Sequence, residues 1–136
     1  MVRVVLDTNV VVSALIGKGG PKRILEAVFS GKATVCLSVV TFAEYVEVLS
    51  RPKFARYTEF SEAAVPTLKH LRSLALFVEP TRHVSICADP DDDKFLELAL
   101  ETRAAYLITG NKKHFPSESY RSINIVSPAE FLKLQT

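Results

Sequence analysis

Apolar and polar positions along the chain fall into two alternating rhythms. Val2-Arg3-Val4-Val5-Leu6 is a short, β-branched, mostly apolar run, the pattern of a strand buried on both faces of a parallel sheet. It stops at Asp7, and residues 8–15 then carry a helical pattern. Gly17-Lys18-Gly19-Gly20-Pro21 breaks the chain before a second helix with Ile24, Leu25, Val28 and Phe29 on it, which Gly31 ends. Residues 33–37 predict strand two. Ser38 or Thr41 caps a third helix whose apolar stripe is Phe42, Tyr45, Val46 and Leu49, and Arg51-Pro52 terminates it. A fourth helix is expected over residues 61–76, broken or started late near Pro66, because an interior proline lacks a backbone donor and crowds the preceding turn. Phe77-Val78-Glu79 reads as a third strand, residues 91–103 as a helix, and residues 106–109 and 123–126 as two further strands. Ser127-Pro128-Ala129-Glu130 opens a terminal helix with a serine cap, proline at the first position and glutamate at the third. Strands alternating with helices predict an α/β fold, a three-layer α/β/α sandwich around a mainly parallel sheet of four to five strands.

Length and composition narrow the class. A chain of 136 residues, 48% hydrophobic, can bury one sizeable core and is short for two, so residues 1–136 are expected to form a single domain. Its apolar runs are far shorter than the roughly 20 residues of a membrane-spanning helix. No basic, apolar and small-residue leader opens it. Cys36 and Cys87 each lie in or beside an apolar stretch, the ordinary place for a reduced thiol. The expected compartment is the cytoplasm. The net charge of +2 does not announce a nucleic-acid partner, but its distribution is uneven. Acids concentrate in residues 89–93, whereas bases gather in residues 18–23, 51–56 and Lys112-Lys113-His114. Cations held within a basic rim are one way to attract a polyanion.

Ligands of an open parallel sheet bind beyond the carboxyl ends of its strands, and polar residues fall there. Asp7 and Thr8 follow strand one, Glu44 lies a turn or two beyond strand two, and Thr109-Gly110-Asn111 follows the strand at 106. On helix 91–103, Asp92, Phe95, Leu96 and Ala99 obey the i, i+3, i+4, i+7 rule, so Asp92 faces the sheet. Asp91, sharing a face with Phe95 and Leu98, is the second inward candidate. Asp93 points away, and Asp89 before Pro90 suits a cap. A purely structural reading competes: aspartates in a first turn complement the helix dipole. Glu44, opposite the apolar stripe, would ordinarily be solvated like Glu47. Asp7 is the strongest single signal, since a carboxylate ending a buried strand needs a partner or a cap role. His70, His83 and His114 lack close metal-ligand spacing, and the glycine loop at 17–20 lacks P-loop spacing.

In order and spacing, Leu6-Asp7-Thr8-Asn9, residues 38–44, Asp89-Pro90-Asp91-Asp92-Asp93-Lys94-Phe95-Leu96-Glu97-Leu98-Ala99 and Leu107-Ile108-Thr109-Gly110-Asn111 resemble a PIN domain over nearly the whole chain. More narrowly, the chain looks like the VapC-like branch, toxin components of toxin–antitoxin systems whose members end in a strand and short helix like residues 123–132. The resemblance implies an Mg2+- or Mn2+-dependent endoribonuclease that hydrolyses RNA phosphodiesters with a metal-activated water. Asp7, Glu44 and Asp92 match the family's catalytic, metal-holding acids. Asn111 stands where a fourth, frequently aspartate, ligand is found, and Thr8 and Thr109 match its hydroxyl positions. Asn9 and Asp91 are further supporting candidates, and Lys112 and Lys113 are candidates for RNA phosphate contact. With an amide at 111, a single ion is expected in the free protein, a second arriving only with RNA phosphate oxygens. The family also implies a small antitoxin partner and a homodimer. The competing reading is a catalytically weak or inactive PIN-like RNA- or partner-binding module, which Asn111 favours. An aspartyl-phosphate phosphatase would want a second aspartate where Asn9 stands.

Overall fold

The structure is a computed structural model describing residues 2–17, 19–54 and 58–135. Its first strand, β1 (Val2–Leu6), lies between β2 (Ala33–Leu37) and β4 (Tyr106–Ile108), parallel to both, with Val4 opposite Val35 and Tyr106. β3 (Leu76–Phe77) extends the sheet beyond β2, and β6 (Ile123–Val126) extends it beyond β4, again in parallel. β5 (Ser119–Tyr120) closes the edge antiparallel to β6, giving the order β3-β2-β1-β4-β6-β5. The sheet therefore has six strands where four to five were expected. The extra one, β5, is two residues long, too short to display any alternation in sequence. Val4, Val5 and Leu6 are all fully buried; because successive strand side chains point to opposite faces, β1 is covered on both, as a sandwich requires. The chain leaves β1 toward β2 on one side and reaches β4 on the other, so the strand order switches at β1 and a crevice opens there.

Helices cover the sheet: α5 (Asp93–Thr102) lies against β1, β2 and β4, while α2 (Gly20–Phe29) and α4 (Thr58–Leu74) lie against β2. α1 (Thr8–Ile16) packs on α2, and α6 (Pro128–Leu134) packs on α2, β4 and β6. Phe95, Leu96, Leu98 and Ala99 of α5 are fully buried with Phe131 of α6, each large side chain stabilising the fold by about 1.5–3 kcal/mol. α3 (Val39–Leu49) begins with a capping box in which Ser38 Oγ accepts from Thr41 N at 3.2 Å and Thr41 Oγ1 from Ser38 N at 3.0 Å. Ser127 and Glu130 form the matching box on α6. Gly19, with φ 102, makes the left-handed turn between α1 and α2.

Two helical expectations change. α4 runs unbroken through Pro66 and ends at Leu74. Its inward residues are Ala64, Leu68 and Leu71, whereas Pro66 and Glu62, whose carbonyl loses its donor, are exposed; Glu62 is open to solvent, and packing of the inward face outweighs the local cost. The third strand moves accordingly to Leu76–Phe77. In α3 the buried line is Thr41, Tyr45 and Leu49, with Val46 42% exposed, a rotation that takes Glu44 out of the solvent-facing position its spacing implied. Cys36 and Cys87 are free thiols. No helix among the described residues is long and apolar enough to cross a membrane. Lys18 and Arg56, members of two of the basic clusters, lie outside the described residues.

Candidate active site at the carboxyl end of the sheet

Asp7 sits where β1 stops. Its backbone N–H donates to Ile108 O at 3.0 Å, tying it to the end of β4, and its carbonyl accepts from Val10 N at 3.0 Å as α1 begins. The residue is only 6% exposed. Thr109, fully buried just past β4, donates its hydroxyl to Asp7 Oδ2 at 2.7 Å and accepts from Asn111 N at 3.0 Å. Burial pushes the Asp7 carboxyl above its ordinary range and the charge of Glu44 adds to this, while the Thr109 hydroxyl and the backbone amides of Asn9 and Thr8 oppose it. Two contacts bring α3 to this point. The buried Tyr45 hydroxyl donates to Leu6 O, and the Thr8 hydroxyl donates to Glu44 Oε2. The other oxygen, Glu44 Oε1, is 2.7 Å from Lys94 Nζ.

Asp92 arrives from a 3-10 turn, Pro90–Asp92, immediately ahead of α5. Its Oδ2 is buried and has no hydrogen-bond partner among the described residues; His114 Nδ1 lies 3.5 Å away. Burial, then the charges of Asp7 and Asp89, push its carboxyl up to about 6 against the pull of His114 and Lys94. An orphaned acid oxygen facing a second buried acid is a costly arrangement unless a positive charge joins them.

The sequence matches the PIN domain family over residues 3–113, which include Asp7, Glu44, Asp92 and Asn111. The chain belongs to the PIN-domain family. It is also 30% identical over 141 residues to the uncharacterized protein MJ1680 of Methanocaldococcus jannaschii, covering 97% of this chain and 90% of that protein. A chain in the crystal structure of VapBC2 from Rickettsia felis bound to a DNA fragment from their promoter superposes with a TM-score of 0.57 at 16% identity. That match covers 92% of this chain and 98% of the other, a likeness of fold.

This PIN domain thus draws Asp7, Thr8, Glu44, Asp92 and Thr109 to one place, and it distributes the other candidates differently. Asn9 reaches Asp7 through its backbone, its side chain being exposed. Asn111 is half-buried and its backbone serves Thr109; no described hydrogen bond joins its side chain to the acids. Asp91 is exposed, not inward: a 3-10 turn has three residues per turn, so the α-helical phase of α5 does not extend back to it. Asp93 does point away, but into the protein, accepting from Ile86 N at 3.1 Å and Cys87 N at 2.9 Å. Although burial opposes it, those amides hold its carboxyl below the ordinary value. Lys112 is engaged with Glu130 at 2.9 Å and Glu118 at 3.9 Å, so it fastens α6, while Lys113 is exposed.

Lys94 and His114 are the site neighbours that periodicity missed. Lys94 had one available signal: a cation in the first turn of a helix opposes the dipole and calls for an acidic partner. No group of three or more His, Cys, Asp or Glu side chains among the described residues is arranged to hold a metal ion. Asp7 and Asp92 nonetheless offer hard oxygen donors whose mutual repulsion a divalent cation of the Mg2+ or Mn2+ kind would relieve.

Proposed function

We propose that this chain is a single PIN domain over residues 1–136 acting as a metal-dependent endoribonuclease that hydrolyses RNA phosphodiester bonds. The observation that carries the reading is the buried Oδ2 of Asp92, without a hydrogen-bond partner among the described residues, in electrostatic contact with the buried Asp7 at the strand-order switch. Asp7 and Asp92 would hold Mg2+ or Mn2+, with Glu44 beside them. When bound, the cation supplies Lewis-acid stabilisation of the charge that develops on a phosphoryl oxygen. The protein's own groups do the positioning. Thr109 orients Asp7 and Thr8 orients Glu44, and Tyr45 keeps α3 against the end of β1. Exposed Lys113 lies in the 3-10 turn after β4, whose last residue, His114, reaches Asp92, and it can meet the RNA backbone.

The family and the fold shared with a chain of a VapBC complex support a toxin of a toxin–antitoxin pair, working in the cytoplasm, with a small antitoxin protein and a second copy of itself as partners. The test is cleavage of structured and unstructured RNA with Mn2+ by wild type, Asp7→Asn and Asp92→Asn. Cutting that needs the metal and disappears in both variants supports the nuclease. Cutting equal in all three points to a contaminant and removes the support. A non-catalytic RNA- or partner-binding module is favoured by Asn111 and by the absence of a three-ligand group among the described residues; it predicts retained RNA binding with no cutting.

A further inference from the structure

Lys94 is held unlike an ordinary surface lysine. Its side chain is 17% exposed. Its ammonium contacts Glu44 Oε1 at 2.7 Å, donates to the carbonyl of Asp91 and lies 5.2 Å from the centre of the Phe95 ring. Three acceptors from α3, the 3-10 turn and α5 therefore converge on one cation, and the stem crosses from the start of α5 to the middle of α3 to reach them. Glu44, half-buried with its other oxygen taken by Thr8, has both carboxylate oxygens committed. The fourth polar position of the site, Asn111, brings no charge.

We infer that Lys94 is a resident cation of the site: it neutralises Glu44, does the work a second metal ion would do there, and restricts the site to one divalent ion on Asp7 and Asp92. The inference rests on the cation reading given under Proposed function. The charges agree with it, since the three negative charges of Asp7, Glu44 and Asp92 are cancelled by one divalent ion and one ammonium. Two divalent ions together with Lys94 would leave uncompensated positive charge in a half-buried pocket, which is unfavourable at low effective dielectric. Removing the ammonium while keeping a polar side chain frees Glu44 as a ligand; replacing it by guanidinium retains the charge.

The experiment is Mn2+ binding by titration calorimetry, with bound ions counted by electron paramagnetic resonance, on wild type, Lys94→Gln and Lys94→Arg. Wild type is expected to take one ion. Lys94→Gln is expected to take a second or to bind the first roughly tenfold to a hundredfold more tightly, from the loss of a like charge a few ångströms away. Lys94→Arg is expected to follow wild type. Two ions in wild type, or a glutamine variant indistinguishable from it, would overturn the inference while leaving Asp7 and Asp92 as ligands. Silence from all three proteins would remove the cation reading itself and this inference with it. Should Lys94→Gln fail to fold by circular dichroism, Lys94→Met takes its place: a second ion or a tighter first one in that variant supports the inference, and binding like that of wild type overturns it.

Discussion

Replacing Asp92 by asparagine should make the metal-free protein more stable at neutral and alkaline pH. The Asp92 carboxyl stands at about 6 against an ordinary 3.8 because it is buried beside Asp7 and Asp89. That difference corresponds to at most about 3 kcal/mol of penalty on the charged form, and solvent reaching the partly exposed carboxyl lowers it. The sign follows from proton binding. A folded-state value above the unfolded one means that the native state holds the proton more tightly, so stability is fully present below about pH 4 and is lost as pH rises through about 6. A side-chain amide does not ionise, so the variant escapes the loss. In chelator, Asp92→Asn should exceed wild type by about 1–3 kcal/mol near pH 8, by about half of that near pH 5 and by a few tenths of a kcal/mol near pH 4. Urea denaturation followed by far-ultraviolet circular dichroism measures this, and groups away from the site cancel in the difference between the two proteins, leaving Asp92 together with the acids whose charge it feels. Adding Mn2+ at about a hundred times its dissociation constant should return about 2.7 kcal/mol to wild type and little to the variant, bringing the two close together or reversing their order. A variant no more stable than wild type near pH 8 in chelator would refute the reasoning, because Asp92 could not then be carrying a buried, uncompensated charge.

Thr109→Val removes the hydroxyl that bonds Asp7 Oδ2 at 2.7 Å and takes the Asn111 amide at 3.0 Å; Mn2+ affinity measured by calorimetry should fall by roughly tenfold to a hundredfold, as for other groups that orient a ligand, and an unchanged affinity would reduce Thr109 to a packing role. Tyr45→Phe leaves the buried carbonyl of Leu6 without its donor and should lower the unfolding free energy by about 1–3 kcal/mol, read as a lower urea midpoint with unchanged slope; a loss under about 0.5 kcal/mol would show that the contact does not anchor α3 to β1.

Much of the fold was legible because it is locally encoded. The apolar run of β1, the serine caps at Ser38 and Ser127 and the break around Gly19 depend on residues within a few positions of one another, and their physics is the same in a peptide as in a protein. The order of elements followed, and with it the rule that the acids at strand ends share a crevice. Pro66 shows where that logic stops: local cost forbids it inside a helix, and only the packing of Ala64, Leu68 and Leu71 on the rest of the protein overrules it.

The site divides in the same way. Sequence alone determined that Asp7 would end a buried strand, because the strand period assigns side chains to faces; it singled out Asp92 by extending the α-helical phase, whereas Asp92 lies in the 3-10 turn ahead of α5 and Asp93 is the buried aspartate. Tertiary structure decided the rest, since it concerns groups far apart in the chain. It rotated α3 so that Glu44 meets Thr8, set Lys94 against Glu44, drew His114 to Asp92 and gave Lys112 to Glu130. Ion pairs and desolvation depend on distances of a few ångströms between residues tens of positions apart, and no periodicity in one segment carries that information.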